Sequence, residues 1–107
     1  MKQWDIYTWQ FPFGKHPVVI VSHPARVDHK PVVNVLKCSS QKAGRTPQEN
    51  EVLLDMADGL DWETLCQCDL IYILEKKELS EKRGSVSRAR RRAIVSRMLQ
   101  SCGWTGV

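Results

Sequence analysis

Gly14-Lys15-His16-Pro17-Val18-Val19-Ile20-Val21-Ser22 is the stretch from which the architecture of this 107-residue chain is read. Four consecutive aliphatic residues, all of them β-branched, describe a strand over 18–22 that is buried on both faces, as at the centre of a small barrel or sandwich. Pro17 suits the first position of such a strand, where its missing N–H does least harm. The residue before a proline is driven to extended geometry, so His16 is held stiffly at the mouth of the strand. A titratable side chain on a loop anchored by a core strand is a common way to build a site.

Outward from this stretch, the chain reads as short strands separated by turn chemistry. Residues 4–11 alternate as a first strand, with Trp4, Ile6, Thr8 and Gln10 on one face and Asp5, Tyr7, Trp9 and Phe11 on the other. Phe11-Pro12-Phe13-Gly14 is the turn into the second strand. His23-Pro24 stops that strand, and residues 23–31 read as a polar connection with His23 and His29 facing solvent. Residues 32–38 are again β-branched and feed Ser39, Ser40 and Gln41. A polar loop follows over 42–50, long enough to suspect either function or simple mobility. Further strands are expected at 51–54, 65–74 and 83–86, with helical turns at 61–64 and 76–79. Ser87 is the expected N-cap of one helix that ends at Gly103. Ile94, Val95, Met98, Leu99 and Cys102 form its expected packing stripe.

Composition bounds the function. The length allows one domain, 1–107, with one modest core. No apolar run approaches a membrane span, and the first residues lack the apolar segment of a signal peptide, so a cytoplasmic protein is expected. Cys38, Cys66, Cys68 and Cys102 are expected as reduced thiols, because no paired zinc spacing is present. No metal and no cofactor is expected. The net charge of +4 is segregated: seven Lys/Arg against two Asp/Glu in 1–48, two against ten in 49–81, and seven against none in 82–107. That pattern fits a polyanionic partner and equally fits pairing of acidic and basic surfaces within the protein. Arginines in the first turn of the last helix oppose its macrodipole. An acidic surface of the same protein or a phosphate backbone would favour them there.

Trp4-Asp5-Ile6-Tyr7-Thr8-Trp9, then a loop, then His16 through Ser22, resembles the opening of the MazF/PemK toxin family, a "GDIYWV"-like strand and a loop ending "RPVVVVS". Val35 through Ser40 resembles the family's third strand, Leu65 through Ile71 its "V-x-C-D-Q-I" strand, and Leu79 through Ser87 its entry into the last helix. The resemblance spans nearly the whole chain. It implies a mainly β fold, a small SH3-like barrel of the MazF/CcdB type with a C-terminal helix. It implies a metal-independent, sequence-selective endoribonuclease that cuts single-stranded RNA through attack of the 2′-hydroxyl. It also implies a homodimer and a cognate antitoxin as partner. The family's arginine before the proline is His16 here, its third-strand threonine is Ser39, its acidic position is Asp69, and the glutamine after that is Leu70. His16, Ser39, Lys15 and Asp69 are thus the candidate catalytic residues, with His16 for acid–base work and Lys15 and Ser39 for phosphate charge. Structural roles stand beside each: His16 as a strand-edge cap, Ser39 as a strand end, Asp69 as a loop anchor. Trp9, Ser40 and Gln41 are the candidate substrate contacts, Trp9 as a base-stacking platform. A protein-binding toxin resembling the CcdB gyrase poisons, or an RNA binder without cleavage, are the alternatives on the same barrel.

Overall fold

Six strands and two helices follow one another in the order β1 (Asp5–Phe11), β2 (Gly14–Ile20), α1 (Pro24–His29), β3 (Val32–Ser40), β4 (Glu51–Leu54), β5 (Thr64–Glu75), β6 (Ser80–Ser85) and α2 (Arg88–Ser101). The computed structural model describes residues 1–40, Ser40 by its backbone only, and residues 46–106. Gln41 and the first part of the 42–50 loop lie outside the described residues. The strands form one antiparallel sheet in the order β4-β5-β3-β2-β1-β6, curled into a half-barrel.

The sheet is buried on both sides, as the aliphatic run requires. Val19 enters a core with Ile6, Leu36, Cys38, Cys66 and Ile94 of α2. Val18 and Ile20 enter a second core with Phe11, Val33, Val35 and Val27 of α1. The alternation of β1 is obeyed: Ile6 joins the first core while Tyr7, Trp9 and Phe11 join the second.

Several boundaries differ from expectation, each for a physical reason. β2 begins at Gly14, because its hairpin ladder with β1 continues down to Phe11 opposite Gly14 around the two-residue turn Pro12-Phe13. Gly14 takes a φ of 134°, open only to glycine. Pro17 therefore lies inside the strand, paired with Thr8. It is tolerated because pairing of β2 with β3 starts only at Val18 opposite Lys37. The polar connection contains α1, whose Ala25 N–H donates to the His23 ring and whose Arg26 and Val27 amides donate to the His23 carbonyl, with Pro24 in the first turn and Val27 buried as the anchor. His23 and His29 are exposed, as expected. The helical turn expected at 61–64 forms instead at Met56–Asp58, where Asp55 and Asp58 make a reciprocal capping box and Gly59 closes the turn with a φ of 82°. The last strand spans Ser80–Ser85 rather than 83–86.

In α2 the expected stripe divides. Ile94 is buried and Met98 packs on the core, whereas Val95 and Leu99 are exposed, because the helix turns a narrower face to β4 and β5 than the sequence suggested. Ser87 is the N-cap by position, but its side chain caps nothing. Its amide donates to Asp58 Oδ1 at 2.8 Å. Arg90 of the first turn reaches Asp55 Oδ1 at 2.5 Å and Asp58 Oδ2 at 2.6 Å, so an acidic surface of the same chain holds this arginine. Gly84 lies under the same turn, and a Cβ there would come 2.1 Å from the Asp58 carbonyl oxygen. Gly84→Ala should destabilise the fold by roughly 1–3 kcal/mol through forced backbone displacement, read as a lower urea midpoint at unchanged m-value.

Candidate active site

The β1–β2 hairpin carries the site. Trp9 and His16 are directly opposed in its ladder, so their side chains share the face of the second core. Beside His16, β2 and β3 have parted, since their ladder stops at Val18 opposite Lys37. The imidazole bridges the gap: His16 Nδ1 lies 3.2 Å from the carbonyl oxygen of Cys38. A carbonyl oxygen only accepts, so the contact places the proton on Nδ1 and leaves the Nε2 lone pair of the neutral ring unused by it.

Aromatic rings frame the imidazole. The buried Phe11 ring meets it edge-on at 5.8 Å between centroids and Phe13 does so at 5.4 Å. Phe13 sits at the hairpin tip, 64% exposed, and stacks on Phe11 at 5.4 Å with 20° between planes. Tyr72 of β5 closes the other side of Phe11 at 5.4 Å. Lys37 is opposite Val18 and hence on the same face. Its Nζ lies 4.7 Å from the Phe13 centroid and 5.7 Å from that of Phe11. A histidine with a defined tautomer, a cation and an exposed ring thus share one open surface.

The other residues singled out by sequence are distributed around this centre. Lys15 is exposed and opposed to Gln10, which puts it on the reverse face of the hairpin from His16. Ser39 is next in chain to Cys38 and, by alternation with it, lies on the face of His16. Its carbonyl accepts the Thr64 hydroxyl at 2.6 Å. Ser40 pairs with Thr64 through the backbone. Asp69 is exposed in a break of the β3–β5 ladder, where Leu36 pairs with Ile71 and Cys38 with Cys66, leaving Lys37 opposite residues 67–70. Trp9 is half-buried, edge-on to Phe11 at 4.5 Å, and its indole N–H donates to Glu78 at 3.1 Å. Phe13, Lys37 and Tyr72 were not singled out. For Lys37 the signal was available, since alternation from Val33 and Val35 places it on the face opposite Leu36 and Cys38. Among the described residues no group of three or more His, Cys, Asp or Glu side chains is arranged to hold a metal ion, and no helix is long and apolar enough to cross a membrane.

A curled antiparallel half-barrel that closes on a C-terminal helix is a fold with solved members. One is an endoribonuclease in complex with its cognate antitoxin from a mycobacterial species, at a TM-score of 0.80 and 23% identity over 96% of this chain and 93% of that one. The Mycobacterium tuberculosis toxin MazF-mt6 superposes at 0.77 with 20% identity over 91% and 94%. MazF of a Deinococcus radiodurans MazE–MazF structure does so at 0.75 with 14% identity over 96% and 95%. These likenesses establish the fold. No curated protein matches in sequence. Residues 2–102 match the sequence model of the PemK-like, MazF-like toxins of type II toxin–antitoxin systems, and the chain belongs to that family.

Proposed function

We propose that this toxin is a metal-independent endoribonuclease that cuts single-stranded RNA on the open face of the first hairpin, with His16 as its proton-transfer group. The observation that carries the reading is the His16 tautomer. With Nδ1–H donated to the Cys38 carbonyl, Nε2 is the atom that takes the proton of a ribose 2′-hydroxyl. The freed 2′-oxygen attacks the adjacent phosphorus, the bond to the 5′-oxygen breaks, and the products are a 2′,3′-cyclic phosphate and a 5′-hydroxyl. Lys37 is the cation on that face for the charge of the phosphorane, and Ser39 a hydroxyl donor beside it. Phe13 offers its exposed ring to a base, and Trp9 flanks the hairpin. Family membership, and likeness to an endoribonuclease in complex with its cognate antitoxin and to a MazE–MazF structure, support this reading, and with it a homodimer and neutralisation by a cognate antitoxin. Residues 39–50 and Gln41 within them remain candidates for base selection.

The folded protein should cut a long single-stranded RNA in EDTA and leave cyclic-phosphate and 5′-hydroxyl ends. Intact RNA, or 5′-phosphate ends, would contradict the reading. Phe13→Ala should weaken substrate engagement by about 1–3 kcal/mol, the worth of one base–aromatic stack, and appear mainly as a higher KM.

A further inference from the structure

We propose that Cys38 and Cys66 are a modification site, a thiol pair that closes to a reversible disulfide on exposure to a peroxide and thereby displaces His16. The two residues are direct partners across β3 and β5. Opposed residues of an antiparallel pair have Cα atoms about 4.5–5.5 Å apart, inside the span of about 4.4–6.8 Å that a disulfide bridges. Both side chains, with that of Cys68, are fully buried in the same core as free thiols. Cys68 is the less suitable partner for Cys66. The two lie two residues apart on one strand, about 6.6 Å by strand rise, with parallel side-chain directions.

The pair sits beside a break in the sheet. Immediately past it the β3–β5 ladder is broken, with residues 67–70 facing Lys37 alone, and Asp69 and Leu70 of that segment exposed. β4 covers β5 only as far as Gln67. A local opening at this break is the route by which a small oxidant reaches thiols that are otherwise sealed. Hydrogen bonding with the Cys38 and Cys68 thiols, together with burial, pushes the Cys66 thiol well above its usual range, so reaction is tied to that opening.

The chemistry balances with hydrogen peroxide as oxidant. One thiol sulfur takes an oxygen as the O–O bond breaks, giving a sulfenic acid and water. The second sulfur attacks it, the S–S bond forms, and a second water leaves. Two electrons and two protons pass to the peroxide. The carbonyl of Cys38 is the acceptor that fixes the His16 ring, so a cross-link at Cys38 acts directly on the imidazole.

The test uses the full chain in a Cys102→Ala background, which removes the half-buried fourth thiol. After peroxide, intact mass should fall by two hydrogens; alkylation under denaturing conditions should then add one group, at Cys68, against three in the reduced protein, and peptide mapping should join Cys38 to Cys66. Cys68→Ala should still form the bond and Cys38→Ala should not. His16 ring resonances should shift on oxidation and return with dithiothreitol. RNA cleavage should fall by about tenfold or more and recover likewise, since a small misplacement of a catalytic group is that costly. Thiols that stay reduced overturn the modification, and a bond that leaves the His16 resonances unmoved overturns its action on the site. The activity arm rests on the ribonuclease reading. The mass and resonance arms do not, so a protein that cuts no RNA in either form counts against that reading alone.

Discussion

His16→Ala should lower RNA cleavage by about 10²–10⁴-fold, the range for removal of a positioned acid–base group, with the fold unchanged by circular dichroism. The ring is partly exposed where the β2–β3 ladder stops, and alanine removes only its edge-on contacts with Phe11 and Phe13 and its bond to the Cys38 carbonyl, leaving the buried residues of the core in place. His16→Asn separates chemistry from architecture. Its amide N–H stands where Nδ1–H stands and donates to the Cys38 carbonyl, but no atom replaces Nε2. The asparagine variant should therefore be as slow as the alanine variant. Activity near wild type in His16→Asn would reduce His16 to a strut between β2 and β3.

Arg90→Ala should destabilise the protein by about 3 kcal/mol, measured by urea unfolding. The Asp58 side chain is fully buried and Arg90 is the cation that reaches it, so the truncation strands a charge in the core. The cost falls at the lower end of the range for breaking such a pair, because Asp58 still accepts the amides of Ser87 and Asp55. The same cluster sets an acid response. The hydrogen bond from Arg90, then the amide of Ala57, holds the Asp55 carboxyl below its ordinary value. A lowered folded-state pKa means that its stabilisation is complete above the ordinary carboxylate range and is lost as pH falls through the folded value. The urea midpoint should thus drop on acidification below about pH 4, and Arg90→Ala should remove part of that dependence.

The strands were legible because burial leaves a direct mark on composition. The run Val18-Val19-Ile20 has one core on each side, and β1 alternates as its two faces demand. What was not legible depends on partners far away in sequence. Pro17 reads as a strand start from its own chemistry, yet sits inside β2 because β3 reaches only to Val18 there. Val95 and Leu99 fit a helical stripe as well as Ile94 does, and only the position of β4 and β5 decides which face is covered. α1 was hidden because its six residues hold a single buried anchor, Val27. In the candidate site, His16 was singled out from its place before Pro17. Lys37 was passed over because its face is fixed by a register, and Lys15 was preferred because it is adjacent in sequence, although adjacent strand residues point to opposite faces. The first-turn arginines gave the sign of the problem and not its solution. The solution for Arg90, an acidic turn more than thirty residues earlier, required the fold.

The most direct measurement compares two RNAs in EDTA, identical except for a single 2′-deoxynucleotide at one mapped cut. Intramolecular attack predicts that cleavage disappears at that position alone while neighbouring cuts persist. Undiminished cleavage at the deoxy position would contradict the account, because the proton His16 is assigned to remove would be absent from the substrate.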